Sequence, residues 1–224
     1  WVYDGGQWYW MDATGAMATG WIHDGKSWYY LDSAGHPAGN GWSLIGSSWY
    51  YLSGGRVATG WLYDAGSWYY LNAATGAMAT GWVQVDGQWY FLRSSGAMVT
   101  GWMNGGGPWY YLTGSGAMAT GWLYDNGSWY YLDATNGAMA TGWFQDGTTW
   151  YYSSSSGAMM TGWLNGGSSW YYLSGSGAMV TGWLHLGSSW YYMGGSGAMV
   201  TGTQVVDGHR STFESSGRWV GYAS

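Results

Sequence analysis

The chemistry open to this chain is set by what it lacks and by what it repeats. Lys26 is the only lysine, Glu214 the only glutamate, and cysteine is absent, so catalysis has almost no material and a thiolate nucleophile and a thiolate metal site are excluded. The histidines, His23, His36, His185 and His209, share no position in any pattern except His23 and His185, two residues after Trp21 and Trp183, and they read as surface residues near turns. No Gly-x-Ser-x-Gly, P-loop or His-Glu-x-x-His occurs, and no Asp-x-Asp-x-Asp series offers a calcium loop. No catalytic residue, metal or cofactor is assigned. What the chain has in quantity is ring surface, 22 Trp and 22 Tyr, whose faces carry the negative end of a quadrupole.

Those rings recur at fixed positions. A tryptophan preceded by glycine stands at Trp21, Trp42, Trp61, Trp82, Trp102, Trp122, Trp143, Trp163 and Trp183, and Trp1 is a tenth without its glycine. A second tryptophan opens an aromatic triplet at Trp8, Trp28, Trp49, Trp68, Trp89, Trp109, Trp129, Trp150, Trp170 and Trp190. The step from first to second is seven residues in every unit, whereas the step to the next unit varies from 12 to 14. Variation confined to one connection marks the short segment as geometrically fixed and the other as a loop.

A fixed step of seven fits an antiparallel hairpin. With Trp21 opposite Trp28, the strands close on a two-residue turn at Asp24-Gly25, a strong hairpin signal. The same register predicts turns at Asp4-Gly5, Asp146-Gly147, Gly105-Gly106, Gly166-Gly167 and Asp125-Asn126, and longer bulged turns using Gly66 and Gly87 after Asp64-Ala65 and Val85-Asp86. Asp24, Asp125 and Asp146 are turn formers in this reading. Alternation puts Met17, Thr19, Trp21, Trp28, Tyr30 and Asp32 on one face, and Gly20, Ile22, Ser27, Tyr29 and Leu31 on the other. An isolated hairpin is marginal in water, so units of about 20 residues must stack into a solenoid with nearest-neighbour stability.

Composition agrees. With 43 glycines a helical fold is excluded in practice, since each costs about 1 kcal/mol in a helix relative to Ala, and the aromatic content of 21% argues against disorder. Aliphatic residues are scarce, which predicts a core of indole and phenol rings. Charged residues are 7% of the chain, with a net charge of -6, so no nucleic-acid footprint is present. No apolar run reaches the length of a membrane span, and no signal peptide is present. The chain starts at Trp1 in mid-pattern, as an excised or processed piece would. Domain organisation reads as ten tandem repeats over 1–202 and a divergent capping repeat over 203–224, where Thr203 follows Gly202 and the segment His209-Arg210-Ser211-Thr212-Phe213 replaces the triplet.

The unit running from Thr120-Gly121-Trp122 through Trp129-Tyr130-Tyr131-Leu132 to Gly137-Ala138-Met139-Ala140-Thr141-Gly142-Trp143 resembles the choline-binding repeats of Gram-positive cell-wall proteins and phage lysins, over residues 1 to 202. The resemblance implies an all-β fold, hairpins wound into a left-handed superhelix, with choline head groups of teichoic or lipoteichoic acid held between consecutive hairpins. It implies a cage of two tryptophans from one hairpin and a tyrosine from the next, often with a methionine nearby. A quaternary ammonium cannot donate a hydrogen bond, so ring faces suit it, and repetition turns weak sites into avidity for a polymer.

Alternation assigns the third wall to the last residue of the next triplet. The candidate cages are then Trp1, Trp8 and Tyr30; Trp21, Trp28 and Tyr51; Trp42, Trp49 and Tyr70; Trp61, Trp68 and Phe91; Trp82, Trp89 and Tyr111; Trp102, Trp109 and Tyr131; Trp122, Trp129 and Tyr152; Trp143, Trp150 and Tyr172; and Trp163, Trp170 and Tyr192. Phe91 lacks the hydroxyl, the first triplet ends in Trp10, and unit three is rebuilt at Gly35-His36-Pro37-Ala38-Gly39-Asn40 and at Gly55-Arg56-Val57-Ala58. Trp183 and Trp190 face a segment without a triplet, so no standard cage is expected there. Methionines four residues before a unit start (Met17, Met78, Met98, Met118, Met139, Met159, Met179 and Met199) are gap fillers first and cage floors second.

The expected function is a non-catalytic module anchoring an attached protein to the bacterial cell surface, secreted, with choline or phosphocholine groups of teichoic acids as partner. Two alternatives stay open: a polysaccharide-binding repeat of the glucan-binding kind, which resembles the chain less because it carries single aromatics, and a purely structural stalk.

Overall fold

The computed structural model describes residues 1–223. Among them there is no helix, and the strands pair into short antiparallel hairpins. In chain order these are Val2–Asp4 with Gln7–Tyr9, Gly20–His23 with Trp28–Leu31, Gly41–Ile45 with Ser48–Ser53, Gly60–Asp64 with Ser67–Leu71, and Gly81–Val85 with Gln88–Leu92. Then follow Gly101–Asn104 with Trp109–Leu112, Gly121–Asp125 with Ser128–Leu132, Gly142–Asp146 with Thr149–Ser153, Gly162–Asn165 with Trp170–Leu173, and Gly182–Leu186 with Ser189–Met193. The last sheet has three strands, Gly202–Val206, His209–Phe213 and Trp219–Tyr222. Arg56–Val57 adds a short strand that joins the second and third hairpins through Tyr29 opposite Arg56 and Leu52 opposite Val57.

The hairpins form where expected, but their register is slipped by two residues. Trp21 lies opposite Tyr30 and His23 opposite Trp28, so the two tryptophans are diagonal neighbours. The turns move accordingly. Asp86-Gly87 and Ala65-Gly66 are simple two-residue turns, without the bulges the sequence suggested, and Asn126-Gly127 replaces Asp125-Asn126. Gly5-Gly6 and Gly147-Thr148 replace Asp4-Gly5 and Asp146-Gly147; the Gly166 N–H bonds to the Ser169 carbonyl at 2.9 Å, leaving Gly167-Ser168 at the tip. The physical reason is backbone sign: a type I′ turn needs positive φ at both central residues, and Asp86 and Gly87 adopt 49° and 80°, Asn126 and Gly127 46° and 83°. A slip of two preserves faces, because strand side chains alternate with period two.

The core is not the ring-built one that composition suggested. In each part of the chain its centre is made by the residues directly after the triplets: Leu31, Leu52, Leu71, Leu92, Leu112, Leu132, Leu173 and Met193 are at most 1% exposed. Ser153 holds this place in the eighth hairpin and Phe213 in the last. The second tryptophans stay about half open, Trp68 and Trp129 at 45%. The face of Gly20, Ile22, Tyr29 and Leu31 packs inward and the Trp face is left to line grooves.

The chain separates into two compact units, residues 1–103 with 111–118, and 104–110 with 119 onward, and the same stitch recurs in each. After a hairpin the loop folds back, and the methionine N–H bonds to the second tryptophan of the preceding hairpin: Met98 to the Trp68 carbonyl at 2.8 Å in the first unit, Met159 to Trp129 at 2.8 Å in the second. The methionine side chain then lies against a glycine of the following loop. A Cβ on Gly157 would stand 2.2 Å from Met139 Sδ, and Gly157 has φ +84°. Where methionine is missing, Pro37 and Val57 take its place against Gly55 and Gly76.

Replacing Gly157 by Ala should therefore cost more than replacing Gly127, whose φ is +83° but which has nothing within 4 Å of its Cβ position. Backbone strain alone is worth about 1 kcal/mol. Urea unfolding of both variants reads the excess as the methionine contact, and equal losses would deny it.

Candidate functional site

Successive hairpins leave grooves whose walls come from three places. In the first unit, Trp61 and Trp68 of one hairpin, Tyr90 of the next and Met98 from the loop after it line a cavity of about 250 Å³. In the second, Trp122, Trp129, Tyr151 and Met159 line one of about 420 Å³, and Trp163, Trp170, Tyr191 and Met199 one of about 410 Å³. Near the start of the chain Trp1, Trp8, Tyr29 and Pro37 line a cavity of about 280 Å³. The tryptophan pairs have one geometry: 61/68, 122/129, 143/150 and 163/170 each stand 6.4 Å apart, near perpendicular at 82° to 87°.

The structure brings the two tryptophans of each such hairpin together but selects a different third ring. Trp21 meets Tyr50 at 4.8 Å, Trp42 meets Tyr69 at 4.8 Å, Trp61 meets Tyr90 at 4.8 Å and Trp1 meets Tyr29 at 4.9 Å. In the second unit Trp122 meets Tyr151, Trp143 meets Tyr171 and Trp163 meets Tyr191, at 4.8 to 5.0 Å. These are middle residues of the triplets. The last residues, Tyr30, Tyr51, Tyr70, Phe91, Tyr111, Tyr131, Tyr152, Tyr172 and Tyr192, lie instead across their own hairpins from Trp21, Trp42, Trp61, Trp82, Trp102, Trp122, Trp143, Trp163 and Trp183, at 5.1 to 5.4 Å. The reason is head-to-tail stacking: the Trp face of one hairpin meets the opposite face of its successor, and alternation puts the middle tyrosine there.

Two further groups shape the site and escaped the sequence reading. The residue two after the first tryptophan lies across the strand from the second and packs against it, as Tyr63 does with Trp68 at 5.2 Å, Tyr124 with Trp129 at 5.1 Å and His185 with Trp190 at 4.4 Å and 25°. An aromatic residue recurring at that offset was the available signal. The second group is acidic. Trp42 donates its indole N–H to Asp64 at 3.0 Å, Trp122 to Asp146 at 2.8 Å and Trp183 to Asp207 at 3.0 Å, each carboxylate coming from the next hairpin. Asp146 thus reaches its neighbour as well as ending a strand, whereas Asp24 is the turn former expected. Backbone N–H groups of Lys26 and Ser27 bond to it and hold its carboxyl below the usual range.

Burial raises the Tyr131 phenol above its usual pKa, and the neighbouring Asp146 carboxylate adds to this. The hydroxyl thus stays protonated through neutral pH and faces the carboxylate as a donor, at a long 3.4 Å. An anion at the N–H edge pushes electron density toward the ring face. The Trp122 indole is therefore a better seat for a cation than an unpaired one.

Two family models match the chain between residues 1 and 199. One described as a choline-binding repeat matches residues 39–80, 79–120, 99–144 and 140–181, and one described as a putative cell wall binding repeat matches 1–17, 19–36 and 181–199. The chain belongs to the choline-binding repeat family. Among solved structures, CbpJ from Streptococcus pneumoniae TIGR4 is 37% identical, with 98% of this chain and 92% of that one covered and a TM-score of 0.87. Choline-binding protein F from Streptococcus pneumoniae is 36% identical over 97% of this chain and 91% of its own, with a TM-score of 0.81. The modular autolysin LytC of the same species is 33% identical over 98% of this chain but 52% of its own, with a TM-score of 0.64. Curated protein sequences give no match. These choline-binding repeats are thus an all-β stack of hairpins in which the aromatic grooves recur with the period of the sequence.

Asp146→Asn should weaken the joint between its hairpin and the one before. The expected loss is about 1 kcal/mol, below the roughly 1.5 to 3 kcal/mol of bonds to charged groups because this one is exposed to solvent. The Trp122 indole N–H resonance should move upfield while that of Trp163, which Asp146 does not reach, stays in place. An unshifted Trp122 signal would show that the bond does not persist in solution.

Proposed function

We propose that this chain is a non-catalytic module that holds choline or phosphocholine head groups of cell-wall teichoic acids in the grooves between consecutive hairpins, and so fixes an attached protein to the outside of a bacterial cell. The observation that carries the reading is the repeated groove: two perpendicular tryptophans 6.4 Å apart, a tyrosine from the next hairpin about 4.8 Å from the first, and a methionine beside them. Three π faces around an apolar floor suit a trimethylammonium ion, which is large, weakly hydrated and without N–H donors. Each desolvated contact contributes about 2 kcal/mol, and after the cost of immobilising the ligand a single groove should bind in the millimolar range. The same head group recurs along a polymer, and several grooves on one chain then multiply affinity through effective concentration. The residues proposed as ligand-bearing are the tryptophan pairs of the sequence reading together with Tyr29, Tyr50, Tyr69, Tyr90, Tyr151, Tyr171 and Tyr191.

The half-open position of Trp129 makes the test clean, because its removal should cost well under the 3 to 5 kcal/mol of a buried Trp→Ala change. Choline at millimolar concentration should alter tryptophan emission and raise the melting temperature of the protein by mass action. Trp129→Ala and Tyr151→Ala should each remove one choline site, while Tyr152→Ala, whose ring lies across from Trp143, should spare the Trp122 groove. The uncharged isostere 3,3-dimethylbutan-1-ol should bind far more weakly than choline. Equal binding of the two, or a response to dextran and not to choline, would replace the quaternary-ammonium reading with an apolar or polysaccharide one.

A further inference from the structure

The C-terminal end departs from the repeat at two positions, and the structure brings them together. Ser211 lies opposite Gln204, the register place that Tyr191 holds opposite Leu184 in the hairpin before. It is fully buried and carries no ring; the one ring of its strand near Trp183 is that of Phe213, 6.0 Å away at 32° and itself buried in the core place. In the loop that follows, Gly217-Arg218-Trp219 stands where the preceding loop reads Gly197-Ala198-Met199. The backbone confirms the equivalence: Glu214 N–H bonds to the Arg218 carbonyl and Gly217 N–H to the Glu214 carbonyl, at 2.8 and 2.9 Å. In the loop before, Gly194 bonds to Ala198 and Gly197 to Gly194, both at 2.8 Å. Trp219 therefore occupies the methionine place, from which Met199 lines the groove of Trp163 and Trp170.

An indole at that place reaches the room left by the missing tyrosine. Trp219 meets Trp183 at 5.6 Å and 79°, the edge-to-face contact that Tyr191 makes with Trp163 at 5.0 Å and 70°. Trp183 and Trp190 stand 6.2 Å apart at 83°, as Trp163 and Trp170 stand 6.4 Å apart at 85°. Trp190 is 42% exposed, against 44% for Trp170, so the wall is equally open to a ligand. Asp207 accepts the Trp183 indole N–H, as Asp146 accepts that of Trp122. Arg218 nearby is paired with Glu214, which offsets its repulsion of a cation.

We infer that Trp183, Trp190 and Trp219 form a further cage for a quaternary ammonium ion, in which one tryptophan replaces both the tyrosine wall and the methionine of the repeated grooves. It is not a cage of the standard kind: its third ring comes from the strand Trp219–Tyr222, while Phe213, from the strand that took the triplet's place, meets Trp183 from the buried core. The inference rests on the trimethylammonium reading of the repeated grooves.

The experiment is ¹⁹F NMR of the whole chain labelled with 5-fluorotryptophan, titrated with choline. The Trp219 and Trp190 lines are assigned by their disappearance in Trp219→Met and Trp190→Phe. Both should move saturably with choline and respond at least roughly tenfold more weakly to 3,3-dimethylbutan-1-ol. Trp219→Met should lower choline stoichiometry in equilibrium dialysis by one site. Ser211→Tyr combined with Trp219→Met should restore that site by rebuilding the ordinary wall and methionine, which a merely structural role for Trp219 would not predict. If the Trp129 and Trp170 lines move with choline while Trp219 and Trp190 do not, or if Trp219→Met binds as many cholines as the parent, the C-terminal cage is overturned and the repeated grooves stand. If no tryptophan line moves, the reading of the grooves fails and takes this cage with it.

Discussion

A two-stranded hairpin of five-residue strands has two faces to cover and too little area to be stable by itself. In this chain the covering is done by the next hairpin, placed head to tail, so that the face carrying the tryptophans is met by the opposite face of the successor. Every other feature follows from that contact. Each hairpin presents two different surfaces, the junction between neighbours combines side chains from both, and the pattern propagates through nearest neighbours as in other repeat proteins. The backbone stitch from methionine to the preceding tryptophan carbonyl, for instance Met179 to Trp150 at 2.8 Å, fixes the spacing of the junction independently of ring packing.

That division of labour separates stability from binding within a single repeat. The leucine after each triplet is sealed, Leu71 and Leu132 at 0%, and the methionine packs against a glycine that has no room for a side chain. With the interior sealed by these residues, the tryptophans can stay half open without endangering the fold. Large exposed apolar surface is ordinarily a mark of an interaction site, and here it recurs along the chain in the form of grooves. The acidic residues at Asp64, Asp146 and Asp207 add a second level, since at their junctions a carboxylate accepts the indole N–H of the preceding hairpin. The grooves share one geometry but differ in electrostatics.

The departures from the repeat show how the same junction tolerates change. Val57 and Pro37 replace methionine and keep the contact with the following glycine. Ser153 replaces the core leucine, and its buried hydroxyl has no hydrogen-bond partner among the described residues. The same holds for Ser211 and the Trp219 indole N–H, and unpaired buried polar groups of this kind cost about 1 to 3 kcal/mol. In the last sheet the loss of a wall tyrosine is met by an indole from another strand, so the space is filled by a residue whose place in the repeat is the methionine's.

Much was written in the linear sequence because hairpin formation is local. The seven-residue step, the glycine-rich turns and the alternation of Trp-Tyr-Tyr-Leu set the strands, the two faces and the pairing of the tryptophans, and the resemblance of those units set the family. Two things needed the tertiary structure. The register depends on where positive φ falls in the turn, at both central residues in Asp86-Gly87 and at Gly25 alone in the second hairpin; Asp24-Gly25 and Gly25-Lys26 both satisfy the composition of a turn, and only the folded backbone chooses between them. The third ring depends on the sense in which one hairpin meets the next, which no periodicity within a unit encodes: face-to-face stacking would have used Tyr51, head-to-tail stacking uses Tyr50. The same holds for Trp219, whose ring reaches Trp183 only because a third strand returns beside the last hairpin, a contact between residues 36 positions apart that local pattern cannot express.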